Sequence, residues 1–172
     1  TFAPDANSPN VMVTVSEYGI HGFTWTEVNG SCSSSDEVEI NFLQVPAADA
    51  GDDGAECDLD FVFNAVQGLG NGAWSKVSGP GNSVFSPNPG LATARVTVDA
   101  YGAYQFAWRE VNSTCQSTDV VNVIFRELPV VFAGKDSVIC DGGTAMFNAT
   151  GTGSFLWEPG LIMSDSTIAN PT

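Results

Sequence analysis

The sequence predicts an all-β protein made of tandem β-sandwich domains. The first indication is an internal repeat: residues 18–57 align with residues 101–140 without a gap, at a period of 83 residues. Over residues 1–57 against 84–140, 22 of the 57 positions are identical. The second indication is composition, since 18 glycines and 9 prolines divide a chain rich in valine, threonine and phenylalanine into short segments. A period of this length predicts one small domain per repeat.

The same period predicts the domain boundaries. Residues 46–128 form one complete β-sandwich repeat, residues 1–45 the C-terminal half of a preceding repeat, and residues 129–172 the N-terminal half of the next. Half a sandwich leaves apolar faces and strand edges in water. We therefore expect this sequence to belong to a longer chain. The alternative is that neighbouring subunits complete each other's half domains in trans by strand addition.

Within the complete repeat, six segments have the composition of strands and are separated by turn signals rich in Gly, Pro and Asn. They are Leu59–Val66, Ala73–Val77, Ser83–Phe85, Ala94–Val98, Tyr104–Val111 and Val120–Arg126. Six or seven short strands at this spacing predict two antiparallel sheets packed face to face.

A comparison of the two copies separates the faces of the last strand. Every second position is apolar in both copies, as Val121, Val123 and Phe125 matching Val38, Ile40 and Phe42. Because side chains alternate between the faces of a strand, this set is predicted to point inward. The intervening positions change charge between the copies, which predicts an outward face on which the repeats differ.

Two aromatic positions indicate the type of sandwich. Tyr104 has the placing of the tyrosine corner that precedes a core strand in immunoglobulin-like domains. Phe106 stands where antibody domains carry their second cysteine, so packing rather than sulfur is expected to join the sheets here. The expected fold of each repeat is therefore an immunoglobulin-like sandwich.

The motifs of the repeat resemble those of a known group of proteins. They are carried by Gly72, Trp74, Ser78–Gly81, Phe85, Pro87, Tyr101–Trp108, Glu110–Asn112, Cys115, Pro129, Ala133–Gly134, Asp136 and Cys140. The pattern resembles the PKD-like and immunoglobulin-like tandem repeats of giant Bacteroidota-type cell-surface adhesins, including gliding-motility-like ones, over essentially the whole chain. The resemblance implies type IX secretion, display on the extracellular cell surface and a role in cell adhesion.

The charge of the chain limits the classes of partner that we expect it to bind. Five Lys and Arg stand against 20 Asp and Glu, a formal net charge of −15 at pH 7. Phosphate contacts need cationic side chains, so nucleic acid is not an expected partner. No segment is long and apolar enough to predict a membrane span. The expected partners are neighbouring repeats of the same chain or like subunits, together with a surface polysaccharide or substratum.

The four cysteines, two per repeat, permit two disulfide patterns. The first joins Cys57 to Cys115 within a domain and leaves Cys32 and Cys140 to partners outside this sequence. The second joins Cys32 to Cys57 and Cys115 to Cys140 across the junctions. We favour the first, because a loop of about 58 residues would contribute about 4 kcal/mol to a small domain. Against it, the two cysteines of an immunoglobulin-like sandwich could lie at opposite ends of the molecule.

Acidic residues crowd around the first linker. Asp49, Asp52, Asp53 and Asp58 are candidate calcium ligands, since interdomain sites gather oxygen ligands from linkers and loops. The second junction has Lys135 in place of Asp52, however, and no ordered calcium-loop motif is present. Solvated acidic surface is the preferred interpretation. No other cofactor is expected, because cysteine pairs with metal-site spacing are missing from the sequence.

The single histidine and the four tryptophans have structural interpretations. His21 aligns with Tyr104, so we interpret it as a corner residue and not as a catalytic base. The tryptophans recur at the repeat spacing, as Trp25 with Trp108 and Trp74 with Trp157. Recurrence within strands favours a place in the core over a sugar-binding platform. No catalytic triad or carboxylate pair can be assembled, and no catalytic activity is expected.

Two serines are candidate modification sites. Ser137 lies in an Asp-Ser-apolar triplet and Ser166 in an Asp-Ser-Thr triplet. Exported Bacteroidota-type proteins carry O-glycans at such triplets, so the resemblance implies glycosylation of these hydroxyls.

The function expected from the sequence is that of a non-catalytic structural and adhesive repeat region of a long secreted cell-surface protein or filament. Two alternatives remain open. One is a fibre subunit that polymerises by completing half domains in trans. The other is a carbohydrate-binding accessory module.

Overall fold

A computed structural model describes residues 1–154, 156–158 and 166–169 of the chain. The described residues contain strands and no helix, which confirms the all-β prediction. None of them therefore lies in a helix long and apolar enough to span a bilayer. The chain divides into two compact units, Thr1–Phe125 and Arg126–Thr172.

All regular strands of the described residues lie in the first unit. They are β1 (Phe2–Ala3), β2 (Met12–Val13), β3 (Gly19–Asn29), β4 (Cys32–Phe42), β5 (Gly54–Glu56), β6 (Asp60–Val62), β7 (Asn71–Ser78), β8 (Ser83–Ser86), β9 (Arg95–Val98), β10 (Gly102–Asn112) and β11 (Cys115–Phe125). Strands β5 to β11 form two sheets, one of order β5-β11-β10-β7 and one of order β6-β9-β8. Their shared core is consistent with a β-sandwich.

The hairpin β10–β11 forms the two central strands of the larger sheet. Both strands have 11 residues and pair antiparallel from Gly102 with Phe125 to Asn112 with Cys115. The two-residue turn between them places Ser113 at φ 56°, in the left-handed region. The corresponding turn of β3–β4 has Gly30 at φ 64°, where the missing Cβ removes the steric cost.

The core lies between the two sheets and is largely aromatic. Phe63 stacks on Trp74 with ring centroids 3.8 Å apart and meets Phe106 edge-on at 5.2 Å. Trp108 lies beside Trp74 at 5.2 Å. The residues predicted to point inward from β11 are buried, which confirms the alternation: Val121, Val123 and Phe125 are at most 1% exposed.

The N-terminal hairpins of the first unit have the same types of residue, but in the described part of the chain several of these side chains are exposed. Hairpin β1–β2 pairs Phe2 with Val13, and hairpin β3–β4 pairs Gly19 with Phe42. On β3 and β4, Trp25 is 40% exposed and Val38 is 55% exposed. A groove of about 330 Å³ runs among these apolar side chains.

The structure differs most from the predicted strands at three places. Strand β11 begins at Cys115, five residues before the predicted start at Val120, because its pairing with β10 continues to the hairpin turn. Strand β5 was not predicted, because its Gly-Ala-Glu sequence has no apolar alternation; it forms by parallel backbone pairing with the end of β11. Strand β6 spans three residues, where the sequence predicts Leu59–Val66. Beyond this short strand, the Phe63 N–H still donates to the carbonyl of Ala94 at 3.0 Å. The segment also supplies the core, with Phe63 1% exposed and Ala65 7% exposed.

The second unit has little regular structure in its described residues. Phe132 and Thr150 form an isolated antiparallel bridge. The rings of Phe147 and Trp157 lie 4.8 Å apart, and the Trp157 indole N–H donates to the carbonyl of Ile168 at 3.0 Å.

Candidate functional site

The linker that follows β4 is held along strand β11, and we call residues 43–53 the junction segment. Ala50 N–H donates to Asp119 Oδ2 at 2.9 Å, and Ala48 N–H donates to Ser117 Oγ at 3.3 Å. At the hairpin turn, Asn112 Nδ2 donates to the carbonyl of Gln44 at 2.9 Å. The junction segment is thus tied to the complete sandwich by polar side chains of one hairpin.

The carboxylates of the junction segment bind backbone groups. Asp53 Oδ1 accepts the Asn122 backbone N–H at 2.7 Å, which fastens the segment further along β11. Asp49 Oδ1 accepts the N–H of Gly51 at 3.0 Å, and Asp58 Oδ1, beyond the junction segment, accepts the N–H of Asp60 at 3.1 Å. Both are turn-forming bonds between near neighbours.

The four aspartates predicted as calcium ligands do not point to one common site in the structure. Asp52 contributes its backbone N–H to Asn64 Oδ1 at 3.3 Å. In the part of the chain that the structure describes, no three His, Cys, Asp or Glu side chains come together as a group able to hold a metal ion. The acidic linker is therefore a set of separate local caps in this structure, and calcium binding stays a prediction.

The expected Cys57–Cys115 bridge is wrong for this fold. All four thiols are free. Cys57 follows β5, whose last residue Glu56 pairs with Phe125 at the end of β11, whereas Cys115 is the first residue of β11. Eleven residues at about 3.3 Å each separate the cysteines by about 35 Å. A disulfide needs Cα atoms within about 7 Å, so the parallel pairing of β5 prevents the bridge.

His21 and Tyr104 occupy the same structural position. Tyr104 is 2% exposed, and its hydroxyl donates to the carbonyl of Ala100, four residues earlier, at 2.9 Å. His21 Nε2 lies 3.0 Å from the carbonyl of Glu17, also four residues earlier. The tyrosine corner is confirmed, and the histidine makes the corner contact in the other copy.

In both β10 and β3, a glutamate two residues after a tryptophan accepts the indole N–H of that tryptophan. Glu110 is fully buried, and its Oε1 accepts the indole N–H of Trp108 at 3.1 Å and the backbone N–H of Gly68 at 2.7 Å. Among the residues that the structure describes, its Oε2 has no hydrogen-bond partner. In the N-terminal hairpin, Glu27 Oε1 accepts the indole N–H of Trp25 at 3.2 Å, but this pair is exposed. The carboxylate thus serves to hold the tryptophan and the loop before β7.

A second carboxylate caps the turn between β7 and β8. Asp99 accepts the backbone N–H of Asn82 at 2.6 Å and its side-chain Nδ2 at 2.8 Å. The side-chain amide of Asn82, followed by its backbone N–H, lowers the pKa of Asp99 below the ordinary aspartate value. Because the carboxylate is exposed, this is a local feature of the turn.

The other candidate residues are placed as follows. Trp74 and Trp108 are in the core, as predicted, at 3% and 0% exposure, whereas Trp25 is partly exposed. Ser137 is exposed and Ser166 is half-buried. Asp165, the first residue of the second triplet, lies outside the described residues.

Comparisons with known proteins add little to this geometry. No family model matches the chain, and no curated protein matches it. Among solved structures, an endo-fucoidan hydrolase of glycoside hydrolase family 107 is similar over 76% of this chain, with 14% sequence identity and a TM-score of 0.30. The chain spans 24% of that enzyme. A likeness of this degree carries no argument about fold or activity.

Proposed function

We propose that this chain is a structural and adhesive repeat region of a long secreted cell-surface protein, without catalytic activity. The observation that supports this is the correspondence of its hairpins. Strands β3 and β4 begin and end 83 residues before β10 and β11. Strand pairs Phe2–Val13 and Phe85–Val96 have the same offset and the same register. The sheet orders β5-β11-β10-β7 and β6-β9-β8 support the further proposal that the sandwich is immunoglobulin-like or PKD-like.

The exposed groove of the N-terminal hairpins has the composition of an unfilled core. Its lining residues Phe23, Trp25 and Val38 are equivalent to Phe106, Trp108 and Val121, all of which are fully buried. In the complete repeat, the space over these residues is filled from residues 46–83, which carry the stacked Phe63 and Trp74. Residues 1–45 therefore need the N-terminal half of a repeat to cover their apolar face.

A graft tests the tandem arrangement. A copy of residues 46–83 placed directly before Thr1 should complete a second sandwich. The fluorescence of Trp25 should then shift to shorter wavelength and become resistant to acrylamide quenching, since Trp25 is now 40% exposed. The matched control graft carries Phe63→Asp in the added copy and should leave Trp25 accessible. Equal quenching of Trp25 with and without the unaltered graft would contradict the proposal.

The same exposed face supports a second candidate, the fibre subunit completed in trans. Residues 129–172 are equivalent in sequence to residues 46–89, so a second copy of the chain supplies the kind of segment that the groove lacks. Sedimentation velocity distinguishes the two. Polymers that grow with chain concentration and are abolished by Val38→Asp would favour completion in trans, whereas a monomer at all concentrations favours covalent arrays.

Adhesion itself is tested with the full chain. We expect retention on a surface polysaccharide or an abiotic substratum through the outward faces, which differ in charge between the repeats. A glycan array separates this from the carbohydrate-binding alternative. Specific, saturable binding to one sugar would support the accessory module, whereas salt-sensitive retention without sugar selectivity would support the adhesive stalk.

A further inference from the structure

The two cysteines of the complete repeat lie at opposite ends of the sandwich. Cys57 directly follows Glu56, which pairs with Phe125 at the last position of β11. Cys115 is the first residue of β11, at the end where the junction segment enters. Each end of the repeat therefore carries one free thiol.

Cys115 contacts the chain that arrives from the preceding hairpin. Its Sγ lies 3.9 Å from the carbonyl oxygen of Leu43, the residue that follows the last position of β4. Asn112 holds the next residue, Gln44, through the 2.9 Å bond to its carbonyl. Cys115 is thus positioned at the exit of strand β4, which belongs to the preceding repeat in the proposed tandem arrangement.

The equivalence of β4 and β11 shows what else belongs at this place. Cys57 stands one residue past the pairing of Glu56 with Phe125, and the equivalent of Phe125 is Phe42. In a complete preceding repeat, the equivalent of Cys57 would stand on the strand next to β4, one residue past the partner of Phe42 and so beside Leu43. Neighbouring strands are about 4.8 Å apart. Leu43 would therefore have a cysteine of each repeat beside it.

We propose that the first cysteine of each repeat forms a disulfide with the second cysteine of the following repeat. This inference rests on the proposed tandem arrangement. Cys57 is joined to the equivalent of Cys115 in the next repeat, and Cys115 to the equivalent of Cys57 in the preceding one. A disulfide needs Cα atoms 4.4–6.8 Å apart, so the proposal requires both cysteines to lie on the same side of Leu43, since residues on its opposite sides would be about 9.6 Å apart.

The chemistry requires an oxidant. Two thiols lose two protons and two electrons, one S–S bond forms, and a disulfide oxidant such as oxidised glutathione is reduced to two thiols. Attack by one thiolate on the oxidant gives a mixed disulfide, which the second cysteine resolves. An exported protein meets such oxidants outside the reducing cytosol.

The bridge would make a folded array resistant to extension. It spans about 140 residues of chain from Cys57 to the second cysteine of the next repeat, on the order of 500 Å when extended. Tension applied to the array would pass through the bridge, so the chain segment between the two cysteines would not be extended even when both sandwiches unfold. Bridges at successive junctions leave only the covalent segment from Cys115 to Cys140, and its counterparts, to carry load directly.

An in-frame duplication provides the test. A second copy of residues 46–128, inserted after Leu128, gives two complete repeats in tandem. After oxidation with glutathione, trypsin digestion without reduction should yield residues 1–76 linked to residues 110–126. C57S in the first copy should abolish this link. C115S in the first copy should leave it, because the partner is Cys115 of the second copy.

The outcomes separate this inference from the proposed function. Two outcomes would overturn the disulfide inference alone. One is loss of the link in the variant that carries C115S in the first copy, and the other is two folded copies that form no link. Near-ultraviolet circular dichroism and resistance to proteolysis report whether the second copy folds. Failure of the second copy to fold would instead refute the tandem arrangement, and the disulfide inference with it.

Discussion

The tyrosine corner provides the sharpest test of the sandwich. Tyr104→Phe removes one hydroxyl that donates to the carbonyl of Ala100 and accepts the backbone N–H of Gly81, both at 2.9 Å. The ring itself remains and keeps its contacts with Phe106 and Phe125. The substitution therefore tests hydrogen bonding at constant packing.

The expected cost follows from the groups left without a partner. A backbone N–H and a carbonyl lose their bond in a part-buried place, and each such loss costs about 1–3 kcal/mol when water cannot fully replace it. Because water reaches part of this turn, we expect the free energy of unfolding to fall by about 2 kcal/mol. With a urea m-value of about 1 kcal/mol/M for so small a domain, the midpoint should fall by about 2 M.

Equilibrium urea unfolding followed by tryptophan fluorescence measures this change, since Trp74 and Trp108 lie in the same core. Tyr101→Phe is the matched control: Tyr101 is 42% exposed, and its loss of a hydroxyl should change the free energy of unfolding by less than about 0.5 kcal/mol. Equal midpoints for the Tyr104 variant and the wild type would refute the assignment of the corner.

Three further predictions concern the carboxylates and the thiols. Glu110→Ala should lower the free energy of unfolding by about 2–5 kcal/mol in urea titrations, because the buried indole N–H of Trp108 and the part-buried backbone N–H of Gly68 lose their acceptor. Glu27→Ala, at the exposed equivalent, should cost less than about 0.5 kcal/mol, and equal costs would contradict the assignment. Cys57→Ser should leave the urea midpoint of this chain unchanged, in oxidant or in dithiothreitol; a drop matching a lost bridge would restore the within-domain disulfide. Carboxyl NMR should find the pKa of Asp99 below that of an ordinary aspartate, and Asn82→Ala should raise it. Since the pKa is lowered by folding, its stabilising contribution is full above the unfolded pKa and is lost as the pH falls through the folded pKa; an Asp99 pKa unchanged by Asn82→Ala would contradict the cause given.

Prediction from sequence succeeded where a strand's own residues carry the signal. The alternation of Val121, Val123 and Phe125 was readable because side chains on a strand have a period of two. The corner role of His21 was readable because a second copy showed tyrosine at the equivalent position. In both cases the relevant contacts lie within one hairpin or within four residues.

Prediction failed where distant segments pair through the backbone alone. Strand β5 has no apolar pattern, and its parallel pairing with β11 is made by main-chain groups that any sequence carries. The Cys57–Cys115 bridge was predicted wrongly for the same reason. The parallel pairing of β5 with β11 decides at which end of the sandwich Cys57 lies, and the sequence does not show this pairing. The hydrogen bond that the Asn122 backbone N–H donates to Asp53 Oδ1 also depends on this register.

Composition and spacing along the chain were enough to predict the strand class and the core face of β11. The three-dimensional arrangement was needed to show which ends of the sandwich the two cysteines occupy and which apolar faces of the described residues are exposed. A β-sandwich is held together by strand pairs far apart in sequence, and their register depends on backbone hydrogen bonds and on the complete core. The internal similarity at 83 residues is therefore visible in the sequence alone, whereas the hydrogen bonds between the junction segment and β11 are visible only in three dimensions.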